Sequence, residues 1–241
     1  MTQVQDASIA EQLLDIEPVK TWSLIATIFG DLARESVSGK ELKALLEPLG
    51  IKPEAMRVAL HRLKKDGWIV SQKTGREVSY QLSEQGRTET VAARKDVYRT
   101  TVKYPQGWSM ILLPTESVTL VIPHVAIEKG TFLVPADAPL PEGAMSLMLT
   151  ARIPDWFERH LVPDHMRVQA QLLSHLAAEF QVNAADPVDA ARARLMFVHL
   201  WRKMALRLGT WAHMAVFPDG IMAQCHAAMI TVFAQTEHAR P

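Results

Sequence analysis

A single cysteine, Cys225, stands in 241 residues, so no disulfide can close within the chain and no zinc finger or ribbon spacing exists. Glycines are sparse and scattered: the eleven stand at 30, 39, 50, 67, 75, 86, 107, 130, 143, 209 and 220, never closer than eight positions. Dinucleotide fingerprints, phosphate loops and nucleophile elbows need glycines roughly one to five apart, which excludes all three designs. The nearest of the nine histidines, His160 and His165, are five apart and flank Pro163, so the four-residue spacing of a helical metal pair is missing. The 26 basic and 26 acidic side chains cancel, and any attraction to nucleic acid must come from a local patch. No apolar run approaches the ~18 residues of a membrane span, and the first twenty residues carry acids where a signal peptide carries Lys or Arg. A soluble, cytoplasmic protein without a membrane partner is expected. Carboxylate pairs such as Asp155 with Glu158 and Asp186 with Asp189 sit beside prolines at helix starts, where they complement the helix dipole. No catalytic residue, metal ligand or resident cofactor is expected.

What the chain does contain is periodicity. Hydrophobic residues make up 48% and charged residues 22%, which are ordinary values for a globular chain. Residues 1–18 read as a loose arm or a short docking helix, with a small apolar patch at Ile9, Leu13, Leu14 and Ile16. Ile25, Ile28, Phe29 and Leu32 recur with helical spacing over 19–34. Ser38 can cap a second helix with Leu42, Leu45, Leu46 and Leu49 on one face, ended by Pro48 and Gly50. A third helix starts at Pro53 and stops at Gly67, with Met56, Ala59, Leu60 and Leu63 as its buried stripe. Strands at 68–73 and 77–82 flank Thr74-Gly75-Arg76, a hairpin turn. Three helices followed by a hairpin are the order of a winged helix-turn-helix. Ser83 then caps a helix to about Arg99, with Val91, Val97 and Tyr98 expected toward the core.

Beyond the break at Tyr104-Pro105-Gln106-Gly107 the texture changes. Segments 108–113, 118–122, 131–134 and 145–151 read as short strands, and 155–161, 164–181, 187–208 and 219–236 as helices, the last two opened by Asp186-Pro187 and Asp219. The fold class is therefore α+β and predominantly helical. Its expected parts are an arm at 1–18, a winged helix at 19–99, a small β-containing domain at 100–152 and a helical domain at 153–241.

The third helix carries the chemistry. Between 52 and 76 lie seven basic residues, Lys52, Arg57, Arg62, Lys64, Lys65, Lys73 and Arg76, opposed within the helix and its turn only by Glu54 and Asp66. That local excess is the patch the overall neutrality requires. Each Lys or Arg that neutralises a phosphate releases a counterion, while sequence reading needs base-edge contacts from the first half of the helix. Arg57 and His61 are placed for bases. Lys52, Lys64 and Lys65 suit phosphates, Arg62 flanks the same face, and Lys73 and Arg76 at the hairpin tip suit backbone or minor groove. For Trp68 and Tyr80, packing of the hairpin onto the helices is preferred over base stacking.

Met56-Arg-Val-Ala-Leu-His-Arg-Leu-Lys-Lys-Asp-Gly-Trp68, followed by the hairpin and Leu82-Ser-Glu-Gln-Gly-Arg87, resembles the N-terminal domain of the PaaX family, repressors of phenylacetic acid catabolic genes. Arg194-Leu-Met-Phe-Val-His-Leu-Trp-Arg202 is similar to that family's C-terminal domain, and Trp108-Ser-Met-Ile-Leu-Leu-Pro114 to its middle one. The resemblance implies a winged helix, a ferredoxin-like middle domain and a helical domain for effector binding and dimerisation. The stretch 115–134 is too short for the usual first ferredoxin helix, so a degenerate form is expected. The resemblance further implies a homodimer on palindromic double-stranded DNA, released by an aryl-acetyl-CoA thioester such as phenylacetyl-CoA.

Independently of the family, helix 187–208 sets Arg192, Arg194, Arg202, Lys203 and Arg207 beside Trp201 and His199, with Trp211 just beyond. An anionic aryl ligand would use guanidinium groups for charge and rings for its walls, which nominates Arg194, His199, Trp201, Arg202 and Trp211 as an effector site. The competing reading is a solvent-facing basic stripe over a core containing Trp201, with His199 a satisfied core histidine. Two other functions compete with DNA regulation: an acyl-CoA-binding enzyme, and a winged helix used for protein contacts.

Overall fold

The computed structural model describes residues 8–32, 34–75, 77–114, 120–182, 187–208 and 211–240. The chain opens with α1 (Ile9–Leu14), a docking helix rather than a loose arm. Ser8 and Glu11 form a reciprocal capping box, and Ala10 and Leu13 are buried. Then come α2 (Thr21–Asp31), a short strand β1 (Ser36–Ser38), α3 (Gly39–Leu46) with a 3-10 turn at Glu47–Leu49, and α4 (Pro53–Lys65). Ser38 and Glu41 make a second capping box at the start of α3, as the position of Ser38 predicts. Gly67, at φ 72°, turns the chain from α4 into β2 (Ile69–Thr74), and Gly75, at φ 62°, turns it again into β3 (Glu77–Leu82). Helix α5 (Glu84–Val97) follows directly, capped by the Ser83 hydroxyl. Its Gly86 lies so close to the Trp68 carbonyl that a Cβ would overlap it, which presses α5 onto the start of the hairpin.

The second half holds β4 (Trp108–Leu112), β5 (Val125–Glu128), β6 (Thr131–Pro135) and β7 (Met145–Met148), then α6 (Asp155–Leu161), α7 (Asp164–Glu179), α8 (Pro187–Leu208), α9 (Trp211–Val216) and α10 (Ile221–Gln235). The two sheets are antiparallel, ordered β1-β3-β2 and β5-β6-β4-β7. In the second sheet each long connection steps over one strand, β4 to β5 across β6 and β6 to β7 across β4. No helix occurs in either connection among the described residues.

Several expectations are corrected. Within 118–122, only 120–122 fall in the described residues; they form no strand, and Val121 is exposed. The strand pairing with β6 instead lies at Val125–Glu128, where Pro123 and the polar flanks obscure alternation. Strand β1 was not expected, because Ser36-Val37-Ser38 is too short to show a period. Helix α9 was also not anticipated, and the expected start of a helix at 219 moves to Ile221 behind Gly220. Val91 faces solvent, since the inward face of α5 follows Gly86, Thr90 and Val97, and position 91 is turned away from it. The Asp186 cap lies outside the described residues.

One apolar cluster runs through most of the molecule. It joins Leu24 and Ile28 of α2, Leu46 of α3 and Leu60 of α4 to Leu173, Phe197, Trp201 and Met229 of the C-terminal helices. Residues 19–99 and 153–241 therefore share a core. The seam between α2 and α8 is polar inside this cluster: Ser23, Thr27 and Asp31, four positions apart on one face of α2, meet Arg202, His199 and Arg194 of the antiparallel α8. Arg202 donates to the Ser23 carbonyl and hydroxyl at 3.2 and 3.1 Å, and Thr27 Oγ1 lies 2.9 Å from His199 Nδ1. Arg194 grips Asp31 through two hydrogen bonds of 2.6 and 2.8 Å, with Arg194 1% and Asp31 0% exposed. The guanidinium also donates to Thr236 Oγ1 and the Phe233 carbonyl, and the Tyr98 hydroxyl donates to Asp31 Oδ1 at 2.7 Å.

Two outcomes are expected from this seam. Arg194→Met leaves the buried Asp31 carboxylate with only the Tyr98 hydroxyl and the Arg240 guanidinium 3.7 Å away, and should cost up to about 3–5 kcal/mol in urea unfolding, the usual penalty for breaking one side of a buried pair; a loss below about 1 kcal/mol would show that the pair does not brace α2. Burial, with Arg202 and Lys203 nearby, holds the His199 imidazole down to about 3 from its ordinary 6.5. Between those values the unfolded chain takes up a proton that the folded one refuses, so His199 lowers stability as pH falls from 6.5 toward 3 and contributes nothing of this kind above 6.5. The stability deficit of His199→Gln relative to the parent should therefore shrink between pH 7 and pH 4, and a constant deficit would contradict the assignment.

Candidate nucleic-acid interface

Helix α4 divides cleanly. Pro53 suits the first turn, where its missing N–H would have no partner, Glu54 there and three basic residues in the last turn suit the helix dipole, and Ala59, Leu60 and Leu63 bury one stripe against the core, with Met56 half-buried beside them. The opposite stripe, Glu54, Arg57, Val58 and His61, is exposed and lines a shallow depression. Arg57 Nη2 donates to Glu54 Oε1 at 2.8 Å, but both side chains are about 70% exposed, at 70% and 72%. Such a pair contributes at most about 1 kcal/mol and opens readily for a stronger partner.

The remaining basic residues surround that stripe. Lys52 at the start of α4 and Lys65 at its end are exposed, and Lys73 is exposed near the hairpin tip. Lys64 leans toward the hairpin and donates to Ser71 Oγ at 2.8 Å. Arg62 turns the other way: its guanidinium lies 5.4 Å over the Trp22 ring, with Nε 3.6 Å from Asp66. Arg76 lies outside the described residues. Trp68 packs edge-on against Phe29 and donates its indole N–H to Glu89 at 3.1 Å, and Tyr80 packs on the main core, so both rings serve hairpin packing.

The proposed effector residues do not converge on one cavity. Arg194, His199 and Trp201 face inward, engaged by Asp31, Thr27 and, for the Trp201 indole, the Val97 carbonyl at 2.8 Å. Trp211 packs between the main core and the cluster beneath β5 and β6. Arg202 alone of the five borders a cleft of about 480 Å³ formed by α2, the end of α4, α5 and α8. Sequence reasoning missed the other side chains there, Trp22, Arg94 and Tyr98 among them. One signal was available: Ser23, Thr27 and Asp31 recur at every fourth position within an otherwise apolar helix, which marks a polar contact made inside a core. Among the described residues no cluster of three or more His, Cys, Asp or Glu side chains is placed to hold a metal ion, and no helix is long and apolar enough to cross a membrane.

Comparison with known proteins bears on the same elements. Residues 20–86 match the family model described as PaaX-like protein, a stretch running from α2 into the first turn of α5. The transcriptional repressor PaaX of Escherichia coli (strain K12) is 38% identical over 101 residues, which cover 40% of this chain and 31% of that protein. The match therefore spans about a third of the length of the curated relative. Among solved structures, the uncharacterized protein Rv0674 from Mycobacterium tuberculosis aligns over 92% of this chain and 99% of its own, at 15% identity and a TM-score of 0.44. Through the segment that builds α2, α3, α4 and the hairpin, the chain is similar to PaaX-like proteins.

Proposed function

We propose that the protein is a DNA-binding transcriptional repressor of the PaaX type, with residues 19–99 acting as a winged helix-turn-helix whose α4 enters the major groove. The observation that carries this reading is the outward side of α4: an exposed, loosely paired stripe ringed by Lys52, Lys64, Lys65 and Lys73, on a helix whose other face is anchored in the core. In this reading Arg57 and His61 meet base edges, and Val58 between them offers an apolar contact of the kind that recognises a thymine methyl. Lys52, Lys64, Lys65 and Lys73 neutralise phosphates, with Arg62 and Arg76 flanking.

The protein acts as a homodimer on a palindromic operator, its two copies of α4 about one helical turn, ~34 Å, or a multiple apart. The segment 100–152 is a degenerate ferredoxin-like sheet, retaining strands that cross over one another without the helices. Residues 153–241 serve effector binding and dimerisation, and an aryl-acetyl-CoA thioester such as phenylacetyl-CoA releases the DNA. The support for these finer statements is the resemblance to a family of repressors. The protein is not an enzyme in this reading and works in the cytoplasm.

Fluorescence anisotropy on a selected operator tests the assignment. Arg57→Ala should lose about 1–3 kcal/mol of binding and relax preference at one base pair; equal weakening on every sequence would remove Arg57 from the base-reading set. Lys64→Ala should weaken specific and random DNA alike and lower the salt slope by about 1. An unchanged slope would take Lys64 off the phosphate list.

A further inference from the structure

One side chain on the outward stripe of α4 has the wrong sign for a duplex. Glu54 stands in the first turn of the helix, and its carboxylate points into solvent beside Arg57, Val58 and His61. Brought against DNA, a carboxylate meets phosphates of its own charge, so a face built for affinity alone has no use for it. Its geometry ties it to Arg57, whose Nη2 donates to Glu54 Oε1 at 2.8 Å, and neither has another ion-pair partner among the described residues. The other cations of α4 are held elsewhere: Lys64 leans on Ser71, and Arg62 pairs with Asp66 at the far end of the helix. Glu54 thus masks the one guanidinium at the end of the helix that faces base edges. The major groove offers a carboxylate one clean partner. Cytosine presents its N4 amine with no acceptor on the same base edge, whereas adenine sets N7 beside its amine, guanine shows N7 and O6, and thymine shows O4.

We infer that Glu54 is a specificity-determining residue: it accepts from a cytosine amine in the operator and, where no cytosine stands, keeps Arg57 from the phosphates. The inference rests on the DNA-binding reading above. On a matching site Glu54 turns to the cytosine N4, and Arg57 is freed for a guanine on a neighbouring base pair. The spacing suits this, since residues three apart on a helix are about 5–6 Å apart at Cβ and base pairs rise by about 3.4 Å. On any other site the carboxylate faces acceptors or phosphates, and its pair with Arg57 stays closed. The two charges then sum to zero, and Arg57 releases no counterion. An exposed pair of this kind is weak enough to open when both members gain better partners. Glu54 therefore discriminates by penalising wrong DNA as well as by contacting the right base.

Selection of duplexes from a random pool by the full chain, followed by anisotropy of the parent and Glu54→Gln on the selected operator and on random DNA, tests this. The operator should contain a cytosine whose exchange for thymine weakens the parent tenfold or more. In Glu54→Gln that penalty should shrink to threefold or less, because an amide can also donate to thymine O4. Glu54→Gln should bind random DNA at least threefold more tightly than the parent. The gain should vanish when Arg57→Ala is added, which separates release of Arg57 from simple removal of a negative charge. An unchanged thermal midpoint of Glu54→Gln shows that the exposed substitution leaves the fold intact. If no cytosine preference is relaxed by Glu54→Gln, the base contact is wrong. If random-DNA affinity does not rise, or rises as much without Arg57, the masking is wrong. Either result overturns the inference and leaves the repressor reading standing, whereas a parent that enriches no sequence overturns that reading and the inference with it.

Discussion

Everything that presents α4 to the outside depends on the contact between α2 and α8, and that contact turns on Asp31 and Arg194. Both side chains are buried, and the guanidinium reaches Asp31 in a two-pronged grip while also serving Thr236 and the Phe233 carbonyl. A buried ion pair is weak evidence of net stability, because desolvating the two charges offsets most of their attraction. Its physical consequence is register. An apolar α2 could slide by a turn against an apolar α8 at modest cost, whereas a slide here would leave Asp31, Thr27 and Ser23 facing methyl groups. The polar rungs allow one alignment, and α4, packed against α2, inherits it.

The seam and the large cleft are parts of one wall. Thr27 and Arg202 belong to both, and Tyr98 lines the cleft while its hydroxyl holds Asp31. Helix α5 closes the other side, with Gly86 allowing it to approach the Trp68 carbonyl and the indole of Trp201 reaching the Val97 carbonyl at its end. Residues of α2 and α5 are thus bonded directly to the C-terminal helices. Communication between the two halves needs no long pathway, since the same side chains touch both.

The N-terminal elements were legible because local chemistry specifies them: Ser38 and Ser83 cap, Pro53 starts a helix, and Gly67 and Gly75 turn where a positive φ is required. The amphipathic stripe of α4 also told which residues face out. Helix α8 defeated the same approach. From Ala193 to Trp201 it is buried on every side, so it has no polar face and periodicity cannot orient Arg194 or His199. Residue types suggested a ligand site; only the partners across the core reveal them as rungs. Strands β1 and β5 and helix α9 escaped for another reason: each is so short that its existence depends on neighbours distant in sequence, Tyr80 opposite Val37, Leu133 opposite Val125, and the sheet packed beneath Ala212.

The energies of these contacts also decide where a signal can act. Typical coupling between a ligand and a distant site is about 1–3 kcal/mol, less than the roughly 3–5 kcal/mol needed to break one side of a buried ion pair. A ligand with coupling of that size would therefore not rupture the Asp31–Arg194 grip. The contacts around the end of α4 are of a different order: Arg62 over Trp22, Arg62 with Asp66 and Arg57 with Glu54 are exposed or partly exposed, each contributing at most about 1 kcal/mol. Rearranging two of them lies within reach of an ordinary ligand or of a DNA phosphate. The fold thus separates a stiff element, the α2–α8 seam, from a soft one, the rim where α4 ends, and a switch acting through α4 must operate at the rim.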